Sequence, residues 1–428
     1  MKKHGYFRLD NSAIMYQMVT TDNAQSLFRL GVVMNEPINK DFLKVAVNKA
    51  LIRYPIFKSE IKNGFFRPYL IENNRDIVIE EDKGAVLGII FFKHNHRYLF
   101  RVTYYENKIF IDFFHSLCDG TGGIEFLKTI CYYYLDALGC PINSANIRII
   151  GDNKLINEEI EDAFDKYYKP ISIKEGTKSM LSGLAYPLRG DTFEAFGLGL
   201  ISMTVDTDKL LAAARSMHCT ITEFIASLYI LSILKKYENA KPIRKNIIAF
   251  IPINMRKIYK SDSLGNFSLF ARVSVPYDIH KDLPSIIKAF RESFSKQKEP
   301  ELLQKQLSFT SFLSKNKILR FVPLIFKSII STLSKNFRTS TVQTFVLSNL
   351  GNVNIENNSS IKGFFFNSNA NRKTPCNLGI ISYNNKTCIS FTRKLISNEL
   401  ERIFFFQLKN FINDIEVESN FREEDNAL

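Results

Sequence analysis

Tryptophan is missing altogether from the 428 residues, so the large-volume packing falls to 37 Phe and 18 Tyr. Cysteine is scarce: Cys118, Cys131, Cys140, Cys219, Cys376 and Cys388 are scattered, and none forms a Cys-x-x-Cys pair. That excludes a disulfide-stapled scaffold and points to a reducing, cytoplasmic setting. Long apolar runs are lacking too, since the stretch from Ile318 to Ile330 is broken by Arg320 and Lys327. The start, Met1-Lys2-Lys3-His4, carries a basic tip with no apolar segment behind it, so neither a signal peptide nor a membrane span is expected.

What is present is the balance of a globular protein. The 45% hydrophobic and 23% charged fractions exclude disordered, collagenous and fibrous classes. The length exceeds what a single core supports and predicts two or three domains. The formal charge is +14, but Lys and Arg are spread along the chain, and clusters such as Arg53 to Lys58 and Arg393-Lys394 are too short for a nucleic-acid arm. The charge reads first as a solvated surface and next as affinity for a phosphorylated small molecule; no nucleic-acid partner is expected.

Periodicity gives a mixed α/β order. Ser26 to Met34 reads as a strand, and Asn39 as the N-cap of a helix whose stripe Leu43, Val47, Ala50, Leu51 and Tyr54 runs to Pro55. Segments Phe65 to Ile71 and Ile77 to Ile79 read as short strands. Tyr98 to Tyr105 and Lys108 to His115 form a hairpin about Glu106-Asn107. A helix follows, with Gly139 as its stop. The chain turns acidic and then loop-like from Gly151 to about Gly183, which places a boundary between lobes 1–175 and 176–428. Beyond it, Thr220 to Glu223 is a capping box opening an apolar helix, and Ile247 to Ile253 and Leu269 to Val275 read as strands. Pro284 to about Lys335 is expected to be helical. Strands return at Thr344 to Leu347, Leu378 to Tyr383 and Thr387 to Thr392, and Ser397 is expected to cap a last helix through Ile415.

One constellation carries chemistry: His115-Ser-Leu-Cys118-Asp119-Gly120-Thr-Gly-Gly123, at the end of a strand and before a helix. An imidazole held in such a loop removes protons near neutral pH, and a carboxylate four residues on can fix the loop by pairing with a distant cation. A buried structural histidine beside an N-capping aspartate is the plainer alternative. Cys118 is a rival nucleophile, but it reads better as a small buried filler. The glycines miss the Gly-x-Gly-x-x-Gly spacing, and no P-loop lysine follows. His94 and His96 in a polar turn make a poor metal site, and His4, His218 and His280 show no partners, so no metal is predicted.

The His115-x-x-x-Asp119-Gly120 pattern resembles the signature of CoA-dependent acyltransferases with the chloramphenicol acetyltransferase-like fold. Further segments resemble the alcohol acetyltransferase branch: Phe7-Arg8-Leu9-Asp10-Asn11, Arg53-Tyr54-Pro55, Ile251 to Lys257, Gly265-Asn266-Phe267, Ser348-Asn349-Leu350-Gly351 and Gly379 to Tyr383. The likeness thus covers nearly the whole chain. Phe114 stands where condensation domains carry a second His, and no Asp-Phe-Gly-Trp-Gly segment of the plant enzymes exists.

The resemblance implies an α/β (α+β) protein of two lobes, each a mixed sheet flanked by helices, with an active-site tunnel between them. It implies that His115 is the base that moves an acyl group from acyl-CoA, or from an acyl carrier protein, to an alcohol or amine. Asp119 is then structural, turned from His115 and paired with Arg256, and Gly120 leaves room for the thioester. Ser348 or Asn349 is the candidate donor to the oxyanion, evenly weighed against simple turn chemistry, with Ser382-Tyr383 a weaker substitute. No permanently bound cofactor is implied. A free-standing condensation-like amide synthase and a non-catalytic binding protein of the same fold are the alternatives.

Overall fold

The computed structural model describes residues 6–20, 25–84, 86–151, 156–171, 184–194, 197–239, 243–316, 321–324, 326, 342–356 and 358–420. The 175/176 boundary, and the expected helical stretch beyond residue 326, lie outside the described residues.

In chain order the first part contains β1 (Tyr6–Phe7), α1 (Asn11–Val19), β2 (Leu27–Met34), α2 (Lys40–Arg53), β3 (Ser59–Asn63), β4 (Pro68–Glu72) and β5 (Ile79–Glu81). The hairpin β6 (Phe100–Tyr105) and β7 (Lys108–Phe114) follows, then α3 (Gly120–Ala137) and the short helices α4 (Ile156–Glu159) and α5 (Ala163–Lys166). The rest comprises β8 (Gly199–Asp206), α6 (Thr207–Ser216), α7 (Ile221–Lys236), β9 (Ile247–Asn254), a 3-10 turn (Met255–Lys257) and β10 (Ser268–Val275). It closes with α8 (Leu283–Gln297), α9 (Pro300–Lys315), β11 (Phe345–Asn352), β12 (Ile361–Ser368), β13 (Cys376–Tyr383), β14 (Lys386–Arg393), α10 (Glu399–Lys409) and β15 (Glu416–Ser419).

Local chemistry accounts for most of these elements. Asn39 caps α2 by accepting from the Asp41 and Phe42 amides, and its expected stripe is buried. Glu106, at positive φ, turns the β6–β7 hairpin, whose last pair is Tyr105 and Lys108. The Thr220–Glu223 capping box is complete, and α7 is buried from Glu223 to Leu234, as its all-round apolar sequence requires. Gly139, at φ 76°, stops α3. The final helix begins one residue later than expected, after Asn398, with the Ser397 hydroxyl accepting from the Glu399 amide, and it ends at Lys409 well short of Ile415. Phe65 and Phe66 lie in the turn between β3 and β4, outside any strand.

Two mixed sheets organise the molecule. The first runs β12-β2-β7-β6-β5, and the second runs β10-β9-β11-β13-β14-β8-β15; β1-β4-β3 forms a small third. α3 lies on β2 and β7, and it comes close because residue 123 is glycine: a β carbon there would meet Leu30, Phe28 and Phe113 at 2.9–3.2 Å. Each large sheet has its own apolar core. Among the described residues no single helix is long and apolar enough to cross a membrane.

The second half of the chain stitches itself to the first through β12, which was not among the expected strands. It pairs antiparallel with β2, from Ile361 opposite Met34 to Ser368 opposite Phe28. Its other contacts are with the second sheet, where the Ser390 hydroxyl donates to the Phe366 carbonyl and Asn367 donates to Thr392 at 3.4 Å. Phe364-Phe365-Phe366 shows no polar alternation, because the less buried face also carries a phenylalanine, Phe365, beside the exposed Lys362. β8 is also new, although Ile201, Met203 and Val205 alternate along it.

The close approach of β12 to β13 depends on Gly379, where a β carbon would lie 2.3 Å from the Phe366 carbonyl oxygen. Backbone cannot swing aside as a side chain can. Gly379→Ala is expected to cost about 1–3 kcal/mol, the usual scale of overpacking. The measurement is a thermal melt followed by circular dichroism; an unchanged melting temperature would mean the two strands are not held this tightly.

Candidate active site

β7 is hydrogen-bonded on both sides, to β2 and β6, and carries the chain to one end of the first sheet. There the His115 amide donates to the Ser26 carbonyl at 2.9 Å, and Leu117 closes a turn on Phe114 at 2.8 Å. The Ser116 hydroxyl donates to the Ala13 carbonyl at 3.1 Å, which ties the turn to α1. Asp119 then caps α3, accepting from the Thr121 and Gly122 amides at 3.1 and 3.2 Å. Gly122 is needed because a β carbon would meet the Leu264 carbonyl oxygen at 2.1 Å, so the loop from the second lobe rests directly on the helix start.

The His115 ring is half-buried. It stacks on Tyr16, with centroids 4.5 Å apart and planes at 16°, and lies 4.8 Å from the Phe28 ring. Its Nδ1 is 3.2 Å from Oδ1 of Asn266, in the loop before β10. Burial pushes the imidazole below its ordinary range, with the Asn266 bond and the Asp119 charge opposing, so the neutral ring is favoured.

Asp119 faces the other way, into the second lobe. Arg256 Nη1 stands 2.8 Å from its Oδ2, which also accepts from the Phe267 amide at 2.9 Å and the Ser268 hydroxyl at 3.2 Å. Arg256 in turn donates to the Ser263 and Gly265 carbonyls at 2.9 and 2.5 Å. Nearby, Asn254 donates to Thr121 at 3.1 Å across the same seam. Burial alone would raise the Asp119 carboxyl, but the Arg256 guanidinium and the amide donors outweigh it and hold it below the usual carboxylate range.

The remaining expected residues fall as follows. A β carbon on Gly120 would meet Leu350 at 2.6 Å, so the space it leaves is occupied by the end of the Ser-Asn-Leu-Gly segment. Ser348 is buried on β11, opposite Gly379 of β13. Asn349 is exposed; its amide nitrogen donates to Thr222 at 3.1 Å and its oxygen accepts from the Gly351 amide at 2.9 Å, a local turn. Tyr383 donates to the Glu356 carbonyl at 3.1 Å, away from the motif. Cys118 is buried and its thiol is pushed well up, which keeps it protonated and a poor nucleophile. Among the described residues no group of three or more His, Cys, Asp and Glu could hold a metal ion.

Three site residues were not singled out from the sequence. Asn266 and Asp10 sit in Gly265-Asn266-Phe267 and Phe7 to Asn11, segments whose likeness to the acetyltransferase branch was the available signal. Tyr16 had none. A groove of about 580 Å³ opens between β7, β12, β8 and β15, walled by Phe110, Phe365 and Leu200 with Lys362 and Lys386; His115 is not on its wall.

Neither a scan against protein-family models nor a search of curated proteins finds a match. Solved structures do match. Trichothecene 15-O-acetyltransferase from Fusarium sporotrichioides aligns with TM-score 0.60 at 12% identity, over 94% of this chain and 93% of that one. Wax ester synthase/diacylglycerol acyltransferase from Marinobacter aquaeolei VT8 gives 0.55 at 10%, over 94% and 99%. A mutant starter condensation domain of rhizomide synthetase, solved with C8-CoA, gives 0.58 at 9%, over 96% and 95%. The chain has the two-lobed chloramphenicol acetyltransferase-like fold that these acyltransferases and condensation domains share.

The Asp119–Arg256 pair makes a stability test. Arg256→Met leaves a buried carboxylate without its cation and is expected to destabilise by about 3–5 kcal/mol, whereas Asp119→Asn with Arg256→Met should recover much of that loss. Chemical denaturation of the single and double variants reads both; equal melting of Arg256→Met and the parent would show that the pair does not hold the seam.

Proposed function

We propose that this protein transfers an acyl group from an acyl thioester, acyl-CoA or an acyl carrier protein, to an alcohol or amine, with His115 as general base. The observation that carries this reading is the half-buried imidazole at the junction of the lobes, with Nδ1 3.2 Å from the Asn266 side-chain oxygen and with burial favouring the neutral ring. The +14 charge favours either donor, since CoA carries phosphates and carrier proteins are typically acidic.

In the proposed reaction Nε2 takes the proton of the acceptor hydroxyl or amine as its oxygen or nitrogen attacks the thioester carbonyl carbon. The carbon–sulfur bond of the resulting tetrahedral oxyanion then breaks, and the imidazolium returns the proton to the departing thiolate. No acyl-enzyme is needed, because both substrates meet at one base. Asp119 contributes by position: its charge is spent on Arg256, so it anchors the loop. Of the two oxyanion candidates we favour Ser348, because the Asn349 amide already donates to Thr222.

The alcohol acetyltransferase-like reading follows the sequence resemblance and the acetyltransferase among the structural neighbours. The condensation-like alternative draws on neighbours such as the rhizomide synthetase domain, and Phe114 counts against it.

The deciding experiment is thiol release from a panel of acyl-CoAs and acyl carrier proteins with alcohol and amine acceptors. Turnover with free acyl-CoA supports the acyltransferase; turnover only with carrier-bound substrates supports the condensation-like enzyme; no thiol release with any pair points to a binding protein. His115→Ala should abolish transfer while preserving the circular dichroism spectrum, and near-normal turnover would refute the base. kcat/KM should rise with pH and level off, with its inflection below the ordinary His value of about 6.5, because burial favours the neutral ring. Ser348→Ala should lower kcat roughly a hundredfold if its hydroxyl meets the oxyanion, as loss of one such donor does elsewhere. A kcat unchanged by Ser348→Ala would remove that assignment.

A further inference from the structure

The mechanism makes no use of Asp10, yet this buried carboxylate, only 8% exposed, lies one hydrogen bond from the residue that faces His115. Its Oδ1 caps α1 by accepting from the Ala13 amide at 2.6 Å. Its Oδ2 leaves the first lobe and accepts from the Asn266 amide at 2.9 Å and from Asn266 Nδ2 at 3.3 Å. The same Nδ2 donates to the His115 carbonyl at 2.9 Å. Both hydrogens of the Asn266 side-chain amide are therefore committed to acceptors. What remains toward the ring is Oδ1, 3.2 Å from Nδ1, and an oxygen can only accept.

The neutral ring must then carry its hydrogen on Nδ1, which leaves the lone pair on Nε2. A second feature is built to the same end. Residue 265 is glycine, and a β carbon there would lie 2.8 Å from Asp10 Oδ2, so the loop has been kept clear for this carboxylate.

We propose that Asp10 is a positioning residue. Together with the His115 carbonyl it orients the Asn266 amide across the lobe junction, which selects the Nδ1–H tautomer of His115 and so makes Nε2 the base. The Leu9-Asp10-Asn11 and Gly265-Asn266-Phe267 segments are the two halves of one device. A carboxylate is suited to position 10 because it only accepts; an asparagine that keeps its oxygen on the Ala13 amide turns its NH2 toward the Asn266 donors, and the Asn266 side chain can meet that NH2 with its oxygen only by flipping, which gives up its bond to the His115 carbonyl. The flipped amide offers Nδ2 to His115 Nδ1, which then must accept, and the hydrogen moves to Nε2.

The catalytic consequence rests on the acyl-transfer reading, but the tautomer does not, so the test is spectroscopic first. Nitrogen-15 NMR of the histidine-labelled full chain, with His115 assigned by its loss in His115→Ala, distinguishes a protonated Nδ1 from a protonated Nε2 at a pH where the ring is neutral. We expect Nδ1–H in the parent and a shift toward Nε2–H in Asp10→Asn. Parallel assays should show kcat lower by roughly 10²-fold or more with KM little changed, the direction expected when a catalytic histidine is held in the wrong tautomer.

Asp10→Ser keeps an N-cap hydroxyl but presents no NH2 to Asn266, so the amide stays held by the His115 carbonyl alone; it should shift the tautomer less than Asp10→Asn and serves if the asparagine variant fails to fold. Nε2–H in the parent, or Nδ1–H retained in a folded Asp10 variant, would overturn the proposal. A tautomer shift without any measurable acyl transfer would leave the positioning role standing and would count against the proposed reaction.

Discussion

The carboxylate of Asp119 is the point on which the site is assembled. One oxygen serves its own helix, accepting the first free amides of α3, and the other is given to the second lobe through Arg256, Phe267 and Ser268. An ion pair this far from water repays its desolvation only when every polar atom around it is matched. Here the matching donors come from both sides of the seam, so the pair forms only when the lobes are docked. The cost of burying two charges is thereby converted into a specific register between the halves.

The consequence for His115 is a fixed place rather than a changed charge. The ring is held by stacking on Tyr16, by the Ser26 carbonyl behind its own amide, and by Asn266 from across the junction. Its surroundings are aromatic on two sides, which disfavours the imidazolium, and the nearby Asp119 charge is already spent on Arg256. That arrangement favours the neutral ring. Arg53 shows the same economy at a distance: it ends α2, pairs with Glu159 at 2.7 Å, and the Glu159 backbone in turn receives the Leu264 amide of the loop that rests on Gly122.

Two kinds of glycine contact make such close packing possible. Gly122 and Gly379 each admit a backbone carbonyl from another segment, whereas Gly120 and Gly123 admit side chains. The first kind has no flexible partner that can retreat: the Leu264 carbonyl rests on α3, and the Phe366 carbonyl rests on β13 where the two large sheets meet. β12 adds the third link, since it completes the first sheet while lying against the second.

The α3 motif, the hairpin before it, the Asn39 and Thr220 caps and the stops at Pro55 and Gly139 were all legible in the sequence, because each depends on neighbours within a few residues. His115, Asp119 and Arg256 were legible as a set only through resemblance, since Asp119 and Arg256 are 137 positions apart and nothing local links them. β12 was hidden because its three consecutive phenylalanines place apolar side chains on both faces and erase the alternation, and Asn266, Asp10 and Tyr16 were hidden because their chemistry lies in whom they meet. By itself, then, the sequence determined the local elements and the presence of an imidazole at a strand end. Only the tertiary structure decided which ring nitrogen faces an acceptor and which cation answers Asp119, because hydrogen bonds and desolvation act through distance in space, and the chain sets that distance only after it has folded.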